Sequence, residues 1–379
     1  MSFAPTVVSR ETDELRVEVR KFLAEELPPG HDPGLGMSAG HSPEFSRKLA
    51  QRGWVGMSLP VEYGGHGRSA VERFVVMEEL LAAGAPTGAH WVSDRQTGPT
   101  ILLYGTEQQR QRFLPSIAAG ECWFSLGMSE PDSGSDLASV RTTATRVDGG
   151  WLVNGTKVWT SGAHLNHFFV VLCRTSPLGE DRHTGLSQVI VDLSAHGVTI
   201  SPIVFLDGTH HFNEVVLTDV FVADDMVLGD VGMGWHQVTS ELAYERAGPD
   251  RYLSTWQVLL QFVRECVPTE PSDQVAEAVG RLTARFWAIR QMSLSIAAAL
   301  DAGQAPAVEA ALVKDIGTTF EQEVIGVIRG LLDVEQAPGT GSLFERLLAT
   351  ATLTGPSFTL RGGTTEVLRG VAAKGLSNR

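Results

Sequence analysis

The spacing of apolar residues changes twice along this chain, and that double change limits its folds more than any other feature. Up to about residue 120 the pattern is helical. Leu15, Val19, Phe22 and Leu23 recur at i, i+4, i+7 and i+8, one face of a helix. Ser42 to Trp54, with Pro43 near its start, reads the same way. So do the stretch carrying Phe74, Met77 and Leu81 before Gly84 and Pro86, and one carrying Phe113 and Leu114 with Thr106 as its cap. The glycine-rich run from Pro60 to Gly67 cannot continue a helix. From Glu121 to about Val231 the apolar runs are short and rich in β-branched and aromatic residues, at 123–128, 151–153, 158–160, 168–172 and 214–217. Asp148-Gly149-Gly150, Asn154-Gly155 and Asp207-Gly208 bound them, and Asn154-Gly155 predicts a hairpin. From Gly232 three long helical stretches follow, Met233 to Cys266, Asp273 to Ala302 and Pro306 to Leu332, with a short one after Gly363. The order predicts an α+β chain, a β-domain between two helical layers. The expected division is a helical domain over 1–120, a β-domain over 121–231 and a helical domain over 232–379, packed together rather than strung on linkers.

Composition excludes several classes of function. The chain has 379 residues, 43% of them hydrophobic, enough apolar material for a sizeable core. Its net charge of −14 argues against general nucleic-acid binding, which rests on Lys and Arg contacts to phosphates. Cys122, Cys173 and Cys266 are too few and too scattered for a disulfide framework or a zinc cluster. Met1 to Arg20 lacks the apolar stretch of a signal peptide, and no apolar run nears the roughly 20 residues that span a bilayer. The expectation is a soluble cytoplasmic protein with no membrane partner. His210-His211 suggests a metal pair, but neighbours on a strand point to opposite faces, so no metal site is expected.

The segment with most chemical content is Gly127-Met-Ser-Glu-Pro-Asp-Ser-Gly-Ser-Asp136. It follows a strand and exposes backbone N–H groups and hydroxyls, because glycine lets a ligand approach the chain closely. Such a loop suits a polar, phosphate-bearing or flavin-like ligand, although standing alone it reads first as a plain surface turn. Trp159 likewise reads either as a ligand platform or as an ordinary core aromatic.

Taken with other segments, this loop resembles the acyl-CoA dehydrogenase family. Ser129 to Asp136 is similar to that family's first signature loop and Asn154-Gly-Thr-Lys-Val-Trp-Thr-Ser161 to its second strand motif. Leu59 to Gly67, Gly105 to Arg110 with Leu114-Pro115, Glu214 to Val220 with Leu228-Gly229 and Gly234-Trp235, and Gly363 to Arg369 resemble further motifs, in order over roughly residues 10–375. The resemblance implies an N-terminal helical domain, a middle β-barrel or sandwich, and a C-terminal four-helix bundle. It implies FAD, lined by Leu126, Met128, Ser129, Gly134 and Ser135, with Trp159 against the ring, Thr160 and Ser161 as polar contacts, and Thr364 and Glu366 touching the cofactor. Ser135 is also implied as a substrate contact.

The implied reaction is α,β-dehydrogenation of an acyl-CoA, or acyl-carrier, thioester. A carboxylate must reach the α-proton, and the thioester oxygen needs hydrogen-bond donors aimed at its developing charge. In the family one such donor is the backbone N–H two residues before the Thr of the last motif, here Gly362. Many members carry the catalytic Glu at that position. This chain has a glycine, and a minority of the family instead keeps the base in a Glu-Arg pair on the long helix, which points to Glu245 with Arg246 as a substrate contact. Glu241, one turn earlier, is the rival. Pro249 removes the helical bond to the Glu245 carbonyl, so a bend is expected there. Arg246 and Arg251 are the cations expected to meet an anionic CoA. The family's Arg-x-x-Phe-Gly and Gly-Gly-x-Gly motifs, which hold the adenine half of FAD across a dimer, are not recognisable. The partners implied are an electron-transfer flavoprotein and either copies of this chain, as a dimer or tetramer, or a related subunit. Two alternatives remain at this level: a flavin-holding or non-catalytic subunit of a mixed oligomer, and a flavin monooxygenase or oxidase on the same fold.

Overall fold

The computed structural model describes residues 3–36, 40–333, 335, 337 and 339–377, with the side chains of 241–245 outside that description. Five helices come first: α1 (Arg10–Glu26), α2 (Pro43–Gln51), α3 (Ala70–Ala82), α4 (Gly98–Tyr104) and α5 (Glu107–Ala118). The strands are β1 (Phe124–Gly127), β2 (Thr143–Val147), β3 (Gly150–Ser161), β4 (Phe168–Arg174), β5 (Leu186–Asp192), β6 (Val198–Val204), β7 (His210–Ala223) and β8 (Val227–Leu228). Helices α6 (Gly234–Glu245), α7 (Trp256–Glu265), α8 (Asp273–Asp301), α9 (Ala307–Arg329), α10 (Leu343–Thr354) and α11 (Thr365–Ser377) follow. The α+β order read from the sequence is the order observed.

Local chemistry sets several of these ends. Thr106 caps α5 as expected, in a capping box with Gln109, and Ser69 does the same for α3 with Glu72. Leu15, Val19, Phe22 and Leu23 form the buried face of α1.

Packing divides the chain into two units: Met1–Gly40, Ser69–Pro86 and Ala243–Arg379 in the first, His41–Arg68 and Thr87–Leu242 in the second. In the first unit α1 packs on α3, α3 on α8, α8 on α9 and α9 on α11. Phe74 and Val75 of α3 meet Leu294 and Ala297 of α8. That face of α3 also buries Glu78 and Glu79, and buried carboxylates need cations. Arg290 grips both oxygens of Glu78 at 2.6 and 2.8 Å, and Arg20 reaches Glu79 at 2.7 Å.

The second unit is built on one sheet of order β6-β7-β3-β2-β4-β5-β8, with β1 joining β4 in parallel. Its core combines Phe124, Val153, Phe169, Val171, Val189, Val215 and Val220 with Phe113, Leu114 and Ile117 of α5.

Two expectations need correction. Asn154-Gly155 is not a hairpin, because β3 runs straight through it. The pair sits at a slip in the β3–β7 register. Asn154 exchanges two 2.9 Å hydrogen bonds with Asp219, itself left-handed at φ 47°, so the polar side chain closes a bulge rather than a turn. The hairpin turn is Asp148-Gly149, between β2 and β3. Met233 to Cys266 is not one bent helix: α6 stops at Glu245, Gly248 is extended, and a 3-10 turn at Pro249–Arg251 precedes α7. The missing Pro249 N–H and the glycine before it end the helix outright. Strands β2, β5 and β6 and helix α10 were not anticipated, since β2 and β6 present mixed polar faces and β5 is buried on both.

Candidate active site

In the sheet unit, two chain segments come together. Leu126 on β1 and, in the loop after it, Met128 and Ser129 are all half-buried, while Gly134 and Ser135 further along the loop are exposed. A Cβ on Gly134 would meet nothing within 4 Å, so this part of the loop faces open space. The end of β3 carries Trp159, Thr160 and Ser161 beside it. Val158 N–H donates to the Ser129 carbonyl at 3.0 Å, and the Ser125 hydroxyl donates to the Ser161 carbonyl at 2.8 Å.

Trp159 is unusual in two ways. It is 54% exposed, and its φ is 59°, left-handed for a bulky residue. That conformation costs about 1–2 kcal/mol, and the β3–β7 register slips between Lys157 and Thr160 to allow it. Strain on an exposed indole beside a Ser- and Gly-rich loop is the pattern of a ligand platform. The Thr160 hydroxyl is buried with no hydrogen-bond partner among the described residues. A planar, polar-edged ring such as the isoalloxazine of FAD fits this set: an aromatic face, orphaned and exposed hydroxyls, and a glycine that leaves room.

A buried ion pair braces these segments. Lys157, fully buried, donates to the Met128 carbonyl at 3.1 Å and to Glu130 at 2.8 Å. Glu130 also accepts the backbone N–H groups of Arg141 and Thr142 at 2.7 and 2.9 Å. Burial alone would raise the Glu130 carboxyl, but the Lys157 ammonium and those donors outweigh it and hold it below the ordinary range. Burial weakens the Lys157 ammonium, and Glu130 opposes that loss. A lysine inside an otherwise strand-like run was the available signal. Its partner lies 27 residues earlier, which spacing cannot reveal.

The helical unit holds the other predicted residues. Glu245 is the last residue of α6; its side chain and that of its rival Glu241 lie outside the described residues. Arg246 is buried, and its Nη2 lies 3.5 Å from where a Cβ on Gly363 would stand. Gly362 and Gly363 are left-handed, at φ 67° and 97°, so neither position suits a side chain. Lys314 on α9, fully buried, donates to the Gly363 carbonyl and fixes this turn. Thr364 accepts the Val367 N–H at 3.4 Å at the start of α11. Glu366 is exposed, its carboxyl lowered by its own backbone N–H and by Thr364.

Beneath that turn lies a polar network that was not foreseen. Arg251, expected to meet an anionic CoA, is instead fully buried, with Nε 3.0 Å from an oxygen of the equally buried Asp250. Gly317 on α9 lets this backbone in, since a Cβ there would stand 2.5 Å from the Arg251 carbonyl oxygen. Glu321 accepts the Ser254 N–H at 2.7 Å and lies 3.3 Å from Arg361, which also donates to the Ser254 hydroxyl at 2.7 Å. Burial pushes the Glu321 carboxyl up, with Arg361 pulling against it.

The His210 ring stacks on that of His164 at 4.0 Å. Among the described residues no helix is long and apolar enough to cross a membrane.

Two family models match the N-terminal and sheet-bearing parts of the chain. Residues 9–121 fit the family model "Acyl-CoA dehydrogenase, N-terminal domain" and 125–220 the model "Acyl-CoA dehydrogenase, middle domain", together more than half of the chain. The acyl-CoA dehydrogenase FadE29 of Mycobacterium tuberculosis is 33% identical over 97% of this chain and 96% of its own. IpdE1 of the same organism, also an acyl-CoA dehydrogenase, is 40% identical over 62% of this chain and 63% of its own. Among solved structures, the Tcur3481-Tcur3483 steroid ACAD superposes with a TM-score of 0.88 and 28% identity, covering 100% of this chain and 99% of that one. The ChsE4-ChsE5 complex of Mycobacterium tuberculosis gives 0.84 and 28%, covering 99% of each. The chain belongs to the acyl-CoA dehydrogenase family, whose members are FAD-dependent oxidoreductases.

Proposed function

We propose that this chain dehydrogenates an acyl-CoA thioester between its α- and β-carbons, with the Glu245 carboxylate removing the α-proton. FAD, when bound, supplies the acceptor for the hydride that leaves the β-carbon. Trp159 packs against the flavin ring, while Leu126, Met128, Gly134 and Ser135 line it. The hydroxyls of Ser129, Thr160 and Ser161 meet its polar edge, and Thr364 and Glu366 touch the cofactor from the last motif. The Gly362 N–H donates to the thioester oxygen and stabilises the charge that develops there. Ser135 and Arg246 contact the substrate.

The observation that carries this reading is the left-handed Gly362 at the position where many family members keep their base. A side chain is disfavoured there, and α6 ends on a Glu beside a buried Arg. The test is anaerobic addition of a panel of acyl-CoA thioesters to the yellow protein. Bleaching by one class identifies the substrate, and a steroid acyl-CoA thioester, suggested by the words "steroid ACAD" in the name of one neighbour, belongs first in that panel. A yellow protein that no thioester bleaches would sink the reading.

The working form we propose is a mixed oligomer with a related subunit that supplies the adenine side of the FAD site, passing electrons to an electron-transfer flavoprotein. Its support is the absence of recognisable Arg-x-x-Phe-Gly and Gly-Gly-x-Gly motifs, and that two of the solved relatives carry paired names. In a second reading the same absence makes this chain the flavin-holding, non-catalytic member of such a pair; Glu245→Gln distinguishes the two. A cytoplasmic setting belongs to the same proposal. The thiols of Cys122 and Cys173 are buried and free, and burial pushes both up to about 12.

A further inference from the structure

We propose that His210 and Asn213 are positioning residues that hold Trp159 in its left-handed conformation, so that the indole is set for the flavin ring before the flavin arrives. The inference rests on the flavin reading above and concerns residues that it does not use.

Trp159 can keep φ 59° only if the chain is pinned on both sides of it. Upstream, Val158 N–H is tied to the Ser129 carbonyl. Downstream, the Thr160 carbonyl accepts from Asn213 Nδ2 at 3.0 Å, and Asn213 is fully buried opposite Thr160 in the β3–β7 ladder. A backbone carbonyl only accepts, so the Asn213 amide must turn its NH₂ toward Thr160 and its oxygen the other way. That oxygen lies 2.8 Å from His210 Nε2, which must therefore donate. A flipped amide would set NH₂ against this imidazole N–H and oxygen against the Thr160 carbonyl. His210 thus fixes the orientation of Asn213, and Asn213 fixes Thr160.

The far end of the chain of contacts is also held. The His164 ring covers His210 at 4.0 Å with 24° between planes, and the Gly162 N–H donates to the His211 carbonyl at 3.0 Å. A neutral imidazole protonated at Nε2 and an imidazolium both donate to Asn213, so the link does not require a charged His210.

The experiment uses the full chain, with its partner subunit if one co-purifies, and reads two things: the visible absorption of bound FAD and its dissociation constant. His210→Ala removes the donor; Asn213→Asp turns the donor facing Thr160 into an acceptor. Each is expected to shift the flavin bands and weaken FAD binding about tenfold, the worth of one hydrogen bond. His210→Gln, whose amide can still donate, is expected to restore the wild-type spectrum. A merely structural role would lower the melting temperature in these variants and leave the bound-flavin spectrum unmoved. A yellow wild-type protein whose His210→Ala and Asn213→Asp forms match it in spectrum and affinity overturns the proposal while leaving the flavin reading intact. Should Asn213→Asp fail to fold, the His210→Ala and His210→Gln pair decides. A wild-type chain that takes up no FAD, alone or with its partner, overturns both.

Discussion

The Lys157 ammonium sits 2.8 Å from the Glu130 carboxylate, both side chains buried, and this pair ties the loop after β1 to the strand that carries Trp159. Breaking it by Glu130→Gln leaves a buried ammonium facing a neutral amide. The expected loss at pH 7 is about 3–5 kcal/mol, read from urea unfolding. The Glu130 carboxyl is held low in the folded chain, so its contribution is present above the unfolded value of about 4.3 and is lost as pH falls through the lower folded value. The gap between wild type and variant should therefore narrow below pH 4. An equal gap at pH 7 and pH 3 would show that the ion pair is not its source.

Arg361→Met should destabilise the helical unit more at high pH than at low. Burial raises Glu321, and Arg361 is the cation opposing that rise. Without it the carboxyl goes higher still and the folded chain holds its proton. A raised carboxyl stabilises below the unfolded value and loses that stability as pH rises through the folded one. The variant should lose about 3–5 kcal/mol at pH 8 and markedly less at pH 5, measured by thermal or urea melts. A loss independent of pH would mean that Arg361 acts through packing.

Trp159→Gly separates strain from function. Glycine adopts φ 59° freely, so the relief of about 1 kcal/mol offsets part of the lost packing, and the indole is half-exposed to begin with. The melting temperature should stay within a few degrees of wild type while the visible flavin spectrum changes. A collapsed melting temperature with an unchanged flavin spectrum would make Trp159 a core residue.

Glu245→Gln should keep the yellow colour and lose bleaching by the productive thioester, with the turnover rate down by roughly 10²–10⁴-fold. Glu241→Gln should keep most of its rate. The reverse ranking would move the base one turn back along α6.

Much of this architecture was legible because helix and strand patterning is local. The α1 face at Leu15, Val19, Phe22 and Leu23 and the Thr106 cap need no distant partner to be recognised. Asn154-Gly155 misled for the opposite reason. As a dipeptide it favours a turn, but Asp219, 65 residues away, takes up the Asn154 side chain and turns the site into a bulge. The stop at Glu245 went further than the bend expected from Pro249, because the extended Gly248 leaves no helical chain to bend.

By itself the sequence determined the family, the α+β order and the residue types at the proposed flavin loop, since these are written in contiguous motifs. Only the tertiary structure decided what braces them. The Lys157–Glu130 pair, the Glu321–Arg361–Ser254 network, the burial of Arg251 and the His210–Asn213–Thr160 chain bring together separate segments of the chain. Hydrogen bonds and ion pairs act across a few ångströms of space, and the sequence orders residues only along the chain.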